Sequence, residues 1–166
     1  MRFLKASMMV HLVRTTEGGP SLSEDDLGSF EQRYGFKLPH TLREFLLATN
    51  GGRPERDLFQ IHGLRGNALG RIHLFFGLND PVESCNLDWN LEVFQERIPP
   101  GLLPIATTEG ADKLCLSVAG ADAGKVFYWD AHAPVGENSL HLLADNLDAF
   151  SSALQSDALS PVILKS

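Results

Sequence analysis

The stretch SEDDLGSFEQRYGFKLPHTLREFLLATNGG, Ser23 to Gly52, marks both ends of two successive helices, and everything else in the chain has to be arranged around that pair. Ser23 stands at an N-cap position with Glu24, Asp25 and Asp26 in the first turn, where acids meet the positive end of the helix dipole. Asp26, at the third helical position, can return a hydrogen bond to the cap backbone as in a capping box. Leu27, Phe30, Glu31 and Tyr34 follow at helical spacing, so three of these four positions form one apolar stripe. Gly35 supplies a left-handed stop, and Phe36 beyond it is placed to fold back on the last turn. Pro39 opens the second helix from its first turn, where a missing N–H costs nothing. Leu42, Phe45, Leu46 and Thr49 make its inward face, and Asn50-Gly51-Gly52 ends it with residues that tolerate positive φ.

Upstream, Met8–Val13 reads as an edge strand or the end of a short helix, with strand preferred, followed by a Gly18-Gly19-Pro20 loop. Downstream, Leu58–Ile61 and Ile72–Phe76 are strand-like, and Gly63, Gly66 and Gly70 between them predict a mobile hairpin loop. Residues 80–96 carry Leu87, Leu91 and Phe94 at helical spacing and predict a helix ended by Pro99 and Pro100. Leu102–Ala106, Lys113–Ala119 and Lys125–Trp129 are three strands joined by short turns, hence an antiparallel meander, and Leu140–Ala144 adds a last strand. Asn146–Leu154 predicts a closing helix with Leu147, Phe150 and Leu154 inward and Asp145 as its cap. The tail from Ser156, apolar at Val162-Ile163-Leu164, reads as an extra strand or a frayed end. Helices before and after a run of hairpins predict an α+β domain: an antiparallel sheet of about five to six strands with helices packed mainly on one face. The 166 residues are expected to form a single domain.

Several short motifs, taken in order, resemble one family. A helix, then Leu38-Pro39, then a helix with Phe45-Leu46 closed by Asn50-Gly51-Gly52, is similar to the start of the SUKH superfamily, which includes fungal cell-wall-assembly regulators and bacterial immunity proteins. Phe76-Gly77-Leu78, Ile98-Pro99-Pro100-Gly101-Leu102-Leu103-Pro104-Ile105-Ala106, Leu114-Cys115-Leu116 and Val126-Phe127-Tyr128-Trp129-Asp130 follow in the family's order, so the resemblance covers Ser23 to about Leu154. Two places depart from the pattern. Ala131 stands where a His often follows the Trp-Asp pair, and the glycine-rich turn before Leu114 is reduced to Gly110-Ala111-Asp112. The resemblance implies the same α+β architecture, with Leu38, Pro39, Asn50, Gly51, Gly52, Pro104, Ile105, Trp129 and Asp130 as structural motif positions. It also implies a non-catalytic bacterial immunity protein that sits on a toxin of nuclease or deaminase type, with a regulatory or scaffold module as the alternative.

The charge agrees with a basic protein partner. Twenty-one acids against 14 bases leave a formal net charge of −7, which repels phosphate backbones, so nucleic acid is not the expected partner. Glu55 and Asp57 after the Asn-Gly-Gly stop, with Asp80, Glu83, Asp88 and Glu92 around the middle helix, are the candidate partner-binding residues, and a solvated face is the plain alternative. Cys85 and Cys115 belong to no Cys-x-x-Cys pair; Cys115, between two leucines, is expected to be a buried small hydrophobe in a protein of a reducing compartment. The N-terminus lacks a signal-peptide pattern and no apolar run reaches the length of a membrane span, so a cytoplasmic location is expected, with no membrane partner.

Catalytic and cofactor readings find little support. His62 and His73, on strands expected to be neighbours, would suggest a metal site with Asp57 or Cys85, but no zinc-type ligand spacing is present. Asp130 and His132, two apart on one face of a strand, would need Ser139 or Cys115 as nucleophile, and a turn with local hydrogen bonds is the simpler reading. Gly63-Leu64-Arg65-Gly66 lacks the Gly-Lys-Ser/Thr of a phosphate loop. No cofactor or metal is expected, and no enzyme. Val126 and Tyr128 should face one side of their strand and Phe127 and Trp129 the other, one set in the core and the other under a helix.

Overall fold

The computed structural model describes residues 13–64, 68–134 and 137–156. All of Met8–Val13 except Val13, Arg65 and Gly66 of the glycine loop, and Val162-Ile163-Leu164 lie outside those residues.

The first helix, α1 (Glu24–Tyr34), is capped as its sequence demands. The Ser23 hydroxyl accepts from the Asp26 amide at 3.2 Å and the Asp26 carboxylate accepts from the Ser23 amide at 2.8 Å. Gly35 closes it in the left-handed region at φ 76°, and the Phe36 ring turns back to meet Phe30 edge-on, 5.7 Å between centroids. The second helix, α2 (His40–Thr49), starts one residue later than expected: Pro39 is its N-cap with extended backbone rather than its first helical residue. Glu31 occupies a buried position in the α1 stripe, where its carboxylate accepts from the Leu38 amide at 2.7 Å and so ties the bend between the helices to α1.

Six strands form one antiparallel sheet in chain order: β3 (Leu58–Ile61), β4 (Ala68–Phe75), β5 (Leu102–Thr108), β6 (Lys113–Ser117), β7 (Val126–Trp129) and β8 (Leu140–Ala144). Two-residue strands β1 (Thr15–Thr16) and β2 (Arg53–Pro54) make a separate ladder that the sequence reading did not anticipate. Register breaks interrupt the sheet between Ile72 and Leu74, Pro104 and Ala106, and Val126 and Phe127. Such bulges bend a sheet and raise its twist. They also explain how a proline survives in a central strand, since Pro104, which has no N–H, sits where the ladder is already broken. The two edges curl toward each other: Leu58 and Gln155 exchange backbone hydrogen bonds of 2.9 Å in both directions, and Phe59 packs on Tyr128 and Phe150.

The closing helix α4 (Leu147–Ala153) lies with α1 and α2 on one face of the sheet. Leu27, Leu46, Leu103, Leu114, Leu116 and Val126 are all fully buried in that core. Val126 and Tyr128 face it, whereas Trp129, with Phe127 against it, joins Cys115, Ile98 and Leu102 in a smaller cluster on the other face, as alternation along β7 requires.

Four expectations are corrected. The helix expected over residues 80–96 is a 3₁₀ turn (Glu83–Cys85) followed by a short helix α3 (Leu87–Val93). The cause is Asn86, whose amide donates to the carbonyls of Asp80, Val82 and Glu83 and whose oxygen accepts from the Asp80 amide, winding residues 80–86 around its own side chain. Gly70 belongs to β4 rather than to a hairpin loop, because the Phe59 ring lies across it; a Cβ there would come within 2.3 Å of that ring. The cap of α4 is Asn146, which accepts from Ala149, not Asp145. The β6 strand stops at Ser117 rather than running to Ala119.

The junction of helices and sheet is Asn50-Gly51-Gly52, with φ of 51°, 80° and 111° in succession. The buried Asn50 side chain donates to the carbonyls of Pro20 (2.7 Å) and Leu78 (2.8 Å) and accepts from the Leu78 amide (2.8 Å). Gly52 and Phe75 exchange backbone hydrogen bonds of 3.0 and 2.9 Å. A Cβ on Gly51 would stand 2.7 Å from the Phe75 carbonyl oxygen. Asn50→Ala leaves the two buried backbone groups of Leu78 and the part-buried Pro20 carbonyl without this partner and puts alanine in the left-handed region. It is expected to destabilise the fold by about 3 kcal/mol or more, measured as a fall in denaturant midpoint at constant m-value. Gly51→Ala should cost at least as much.

Candidate functional site

The chain leaving this junction through Gly77 and Leu78 swings out as an arm, residues 79–94, which buries Leu87 in the main core and lays Phe94 on Trp129 of the second cluster. Between arm and sheet lies a groove of about 580 Å³. The sheet contributes His73 and Leu74 from β4, Thr107 from β5 and Lys113 from β6; the arm contributes Val82, Ser84, Cys85, Trp89, Asn90 and Phe94. Glu17, Arg53 and Asp80 stand at its mouth.

Its electrostatics are mixed. Arg53 pairs with Glu17 at 2.8 Å and approaches the His73 ring nitrogen at 3.4 Å. Asp80 accepts from the Val82 amide through Oδ1. Lys113 is 6% exposed, gives hydrogen bonds to the Ala111 carbonyl (2.8 Å) and Thr107 Oγ1 (3.3 Å), and holds its ammonium 4.8 Å from the centre of the Phe94 ring. Burial pushes its pKa below the usual lysine range, against a smaller opposing pull from Asp112. Arg97 covers Trp129 at 5.1 Å and closes the second cluster beside the groove. Burial raises the Cys85 thiol on the groove wall, and that of the fully buried, unpaired Cys115 far more.

The six acids singled out from the sequence do not form one rim. Asp57 is engaged by Arg71 through both carboxylate oxygens, at 3.1 and 3.0 Å, while Glu55 stands exposed nearby. Glu92 accepts from the Tyr34 hydroxyl at 2.6 Å and lies 3.6 Å from Arg33, so it fastens α3 to α1. Asp80 and Glu83 sit on the first half of the arm and Asp88 on α3. Glu83 and Asp88 have no cation within ion-pair reach among the described residues. Sequence reading missed Glu17, Trp89 and Lys113. The signal for Lys113 was its parity: it shares a face with Cys115, two residues on in the same strand, and Cys115 was expected to be buried.

The histidines do not converge. His62 lies one residue past the end of β3 that pairs with Ala68, and His73 lies beyond Arg71 at the other end of the ladder, roughly 20 Å apart along the strands. Among the described residues no three of His, Cys, Asp or Glu are grouped to hold a metal ion. Asp130 and His132 are in a turn rather than on a strand: β7 ends at Trp129, and the His132 amide donates to Asp130 Oδ1 at 2.9 Å. Asp112 meanwhile accepts from the Ala131 amide at 2.8 Å and from the Tyr128 hydroxyl, so the two places where the sequence departs from the family pattern touch each other.

A sequence model of the SMI1 / KNR4 family (SUKH-1) matches residues 21–153. The chain belongs to this family. It is also similar to the SPbeta prophage-derived uncharacterized protein YokK of Bacillus subtilis (strain 168), 25% identical over 86 residues. That match covers 52% of this chain and 42% of YokK. Within the SUKH-1 match, Leu38, Asn50, Ile105 and Trp129 are buried and Gly51 and Gly52 have positive φ. No helix among the described residues is long and apolar enough to cross a membrane.

Burial and the Glu92 hydrogen bond push the Tyr34 phenol up to about 12, so the folded chain keeps a proton that the unfolded chain loses near pH 10. The stability this contributes is complete below pH 10 and is lost as pH climbs toward 12. Glu92→Gln should bring the Tyr34 titration down toward pH 10, leaving the other tyrosine, Tyr128, unmoved; ultraviolet difference titration of the two tyrosines measures both.

Proposed function

We propose that the protein is a non-catalytic binding module that neutralises a toxin by seating on it, with the arm and its groove as the docking surface. One observation carries this reading: the arm presents exposed Val82 and Val93, 56% and 50% accessible, beside the unpaired acids Glu83 and Asp88. Apolar anchors flanked by uncompensated charge make a surface that excludes water at its centre and selects partners at its rim. The partner expected there is basic, given the net charge of −7. Nucleic acid is disfavoured, because Arg33, Arg43, Arg53, Arg71 and Lys125 are each engaged by acids of the same chain. The prophage origin of YokK supports a role in conflict between genetic elements over a role in wall assembly. Activity as an enzyme has no support from the Asp130–His132 turn or from the buried Cys115.

Where a toxic domain is encoded beside its gene, co-expression with that domain should restore growth, and the two chains should elute as one complex on gel filtration. Glu83→Lys with Asp88→Lys should weaken that complex about tenfold or more and shift the melting temperature by no more than about 2 °C. A wild-type protein that neither rescues growth nor binds overturns the reading. Equal binding by the double variant removes the acids from it.

A further inference from the structure

Lys113 is a buried charge without an opposite number. Among the described residues no carboxylate lies within ion-pair reach of its ammonium. Two of its three N–H groups go to neutral oxygens, and the rest of the charge meets only the face of Phe94. A buried ion is costly unless it is paired, and an apolar side chain of similar length would fill the same space in β6 without that cost. The nearby acids are engaged elsewhere, and Asp112 attracts the ammonium only from beyond ion-pair reach. Asp112 uses one oxygen for Tyr128 and the other for Ala131, Glu17 is held by Arg53, and Asp80 caps the turn at Val82. What remains open to Lys113 is the groove it lines.

We propose that the groove receives a carboxylate side chain projecting from the bound protein partner, which pairs with Lys113 while its methylene stem lies between Trp89 and Phe94. This inference rests on the docking reading above and adds the partner's chemistry: a basic surface from which one Asp or Glu protrudes. The acids on the outside of the arm meet the surrounding bases, and the ammonium on the groove floor meets the single acid, so the two signs of charge are read at different depths. A volume of about 580 Å³ accommodates a side chain together with the turn that carries it. Lys113 thereby acts as a specificity determinant, because a partner with an apolar or basic residue at that point would leave the ammonium buried and unpaired.

The protein alone, in solution with N-acetylglutamate N-methylamide as probe at constant ionic strength, tests the site by NMR. Amide shifts confined to Trp89, Thr107 and Lys113, with a dissociation constant of about 1–10 mM, are expected, together with a rise in the Lys113 pKa followed through its ε-carbon. Lys113→Met should weaken probe binding about tenfold or more. If that variant does not fold, the wild-type pKa rise decides alone. No shift up to about 100 mM probe, or tighter binding of inorganic phosphate than of the carboxylate, overturns the proposal; the second result would make this a free-anion site. Probe binding without toxin rescue leaves the carboxylate pocket standing and removes the docking reading, whereas rescue without probe binding removes the pocket alone.

Discussion

The structure turns on the side chain of Asn50. A helix that ends against the rim of a sheet leaves carbonyls and amides of three chain segments facing one another in a largely buried space, and each needs a partner. Asn50 is the one residue type that both accepts the left-handed backbone and offers donors and an acceptor from a short side chain. By donating to Pro20 and Leu78 and accepting from Leu78, it stitches the segment before α1, the end of α2 and the exit of β4 into one unit. Gly51 and Gly52 follow because nothing with a Cβ fits: the Phe75 and Thr16 carbonyls lie 2.7 and 2.4 Å from where one would stand. The Asn-Gly-Gly motif is thus a crossing of backbones, and the helix stop is its side effect.

This crossing also fixes where the groove opens. Gly77 lies against Asn50, with no room for a Cβ, and Leu78 is hydrogen-bonded to it, so the arm leaves the sheet at a set point and in a set direction. Asn86 then repeats the device on a smaller scale, gathering residues 80–86 around one amide, and Asn90 donates to the Ser84 and Asn86 carbonyls in the next turn. A seven-residue helix such as α3 has little stability of its own. It persists because these amides anchor its start, Glu92 fastens it to Tyr34 and Phe94 packs on Trp129. The arm is held by asparagine amides at one end, by Leu87 buried in the main core at its middle and by the Phe94–Trp129 contact at the other, and Ser84, Cys85, Trp89 and Asn90 line the groove.

How much of this could be read beforehand depended on how local the cause was. The caps of α1, the Gly35 stop, the Phe36 return and the meander from β5 to β8 all follow from residues within a few positions of one another, and the structure contains each of them. The arm was read as a long helix because Leu87, Leu91 and Phe94 have helical spacing, while the opposing cause, an asparagine amide bonding three carbonyls, is invisible to periodicity. Gly70 looked like a loop residue because only the structure shows the Phe59 ring lying on it. The same limit governed the site. Asp57 and Glu92 looked available until Arg71 and Tyr34 were placed beside them, and Lys113 went unremarked because its isolation is a matter of what is not near it in space.

The charges therefore divide into two kinds, and composition alone does not distinguish them. One kind is engaged within the chain: Arg43 reaches Glu24 and Glu31, Arg71 reaches Asp57 and Glu109, and Arg53 reaches Glu17. These pairs mostly lie near the surface, where each is worth little, and with Arg33–Glu92 and Lys125–Asp122 they engage five of the ten described lysines and arginines. The other kind forms no ion pair among the described residues, and it includes Glu83 and Asp88 on the arm and Lys113 beneath it. Of these, only the buried Lys113 ammonium carries a desolvation cost that a purely apolar side chain would avoid. Their placement on the arm and beneath it is the observation from which the proposed recognition of a basic partner starts.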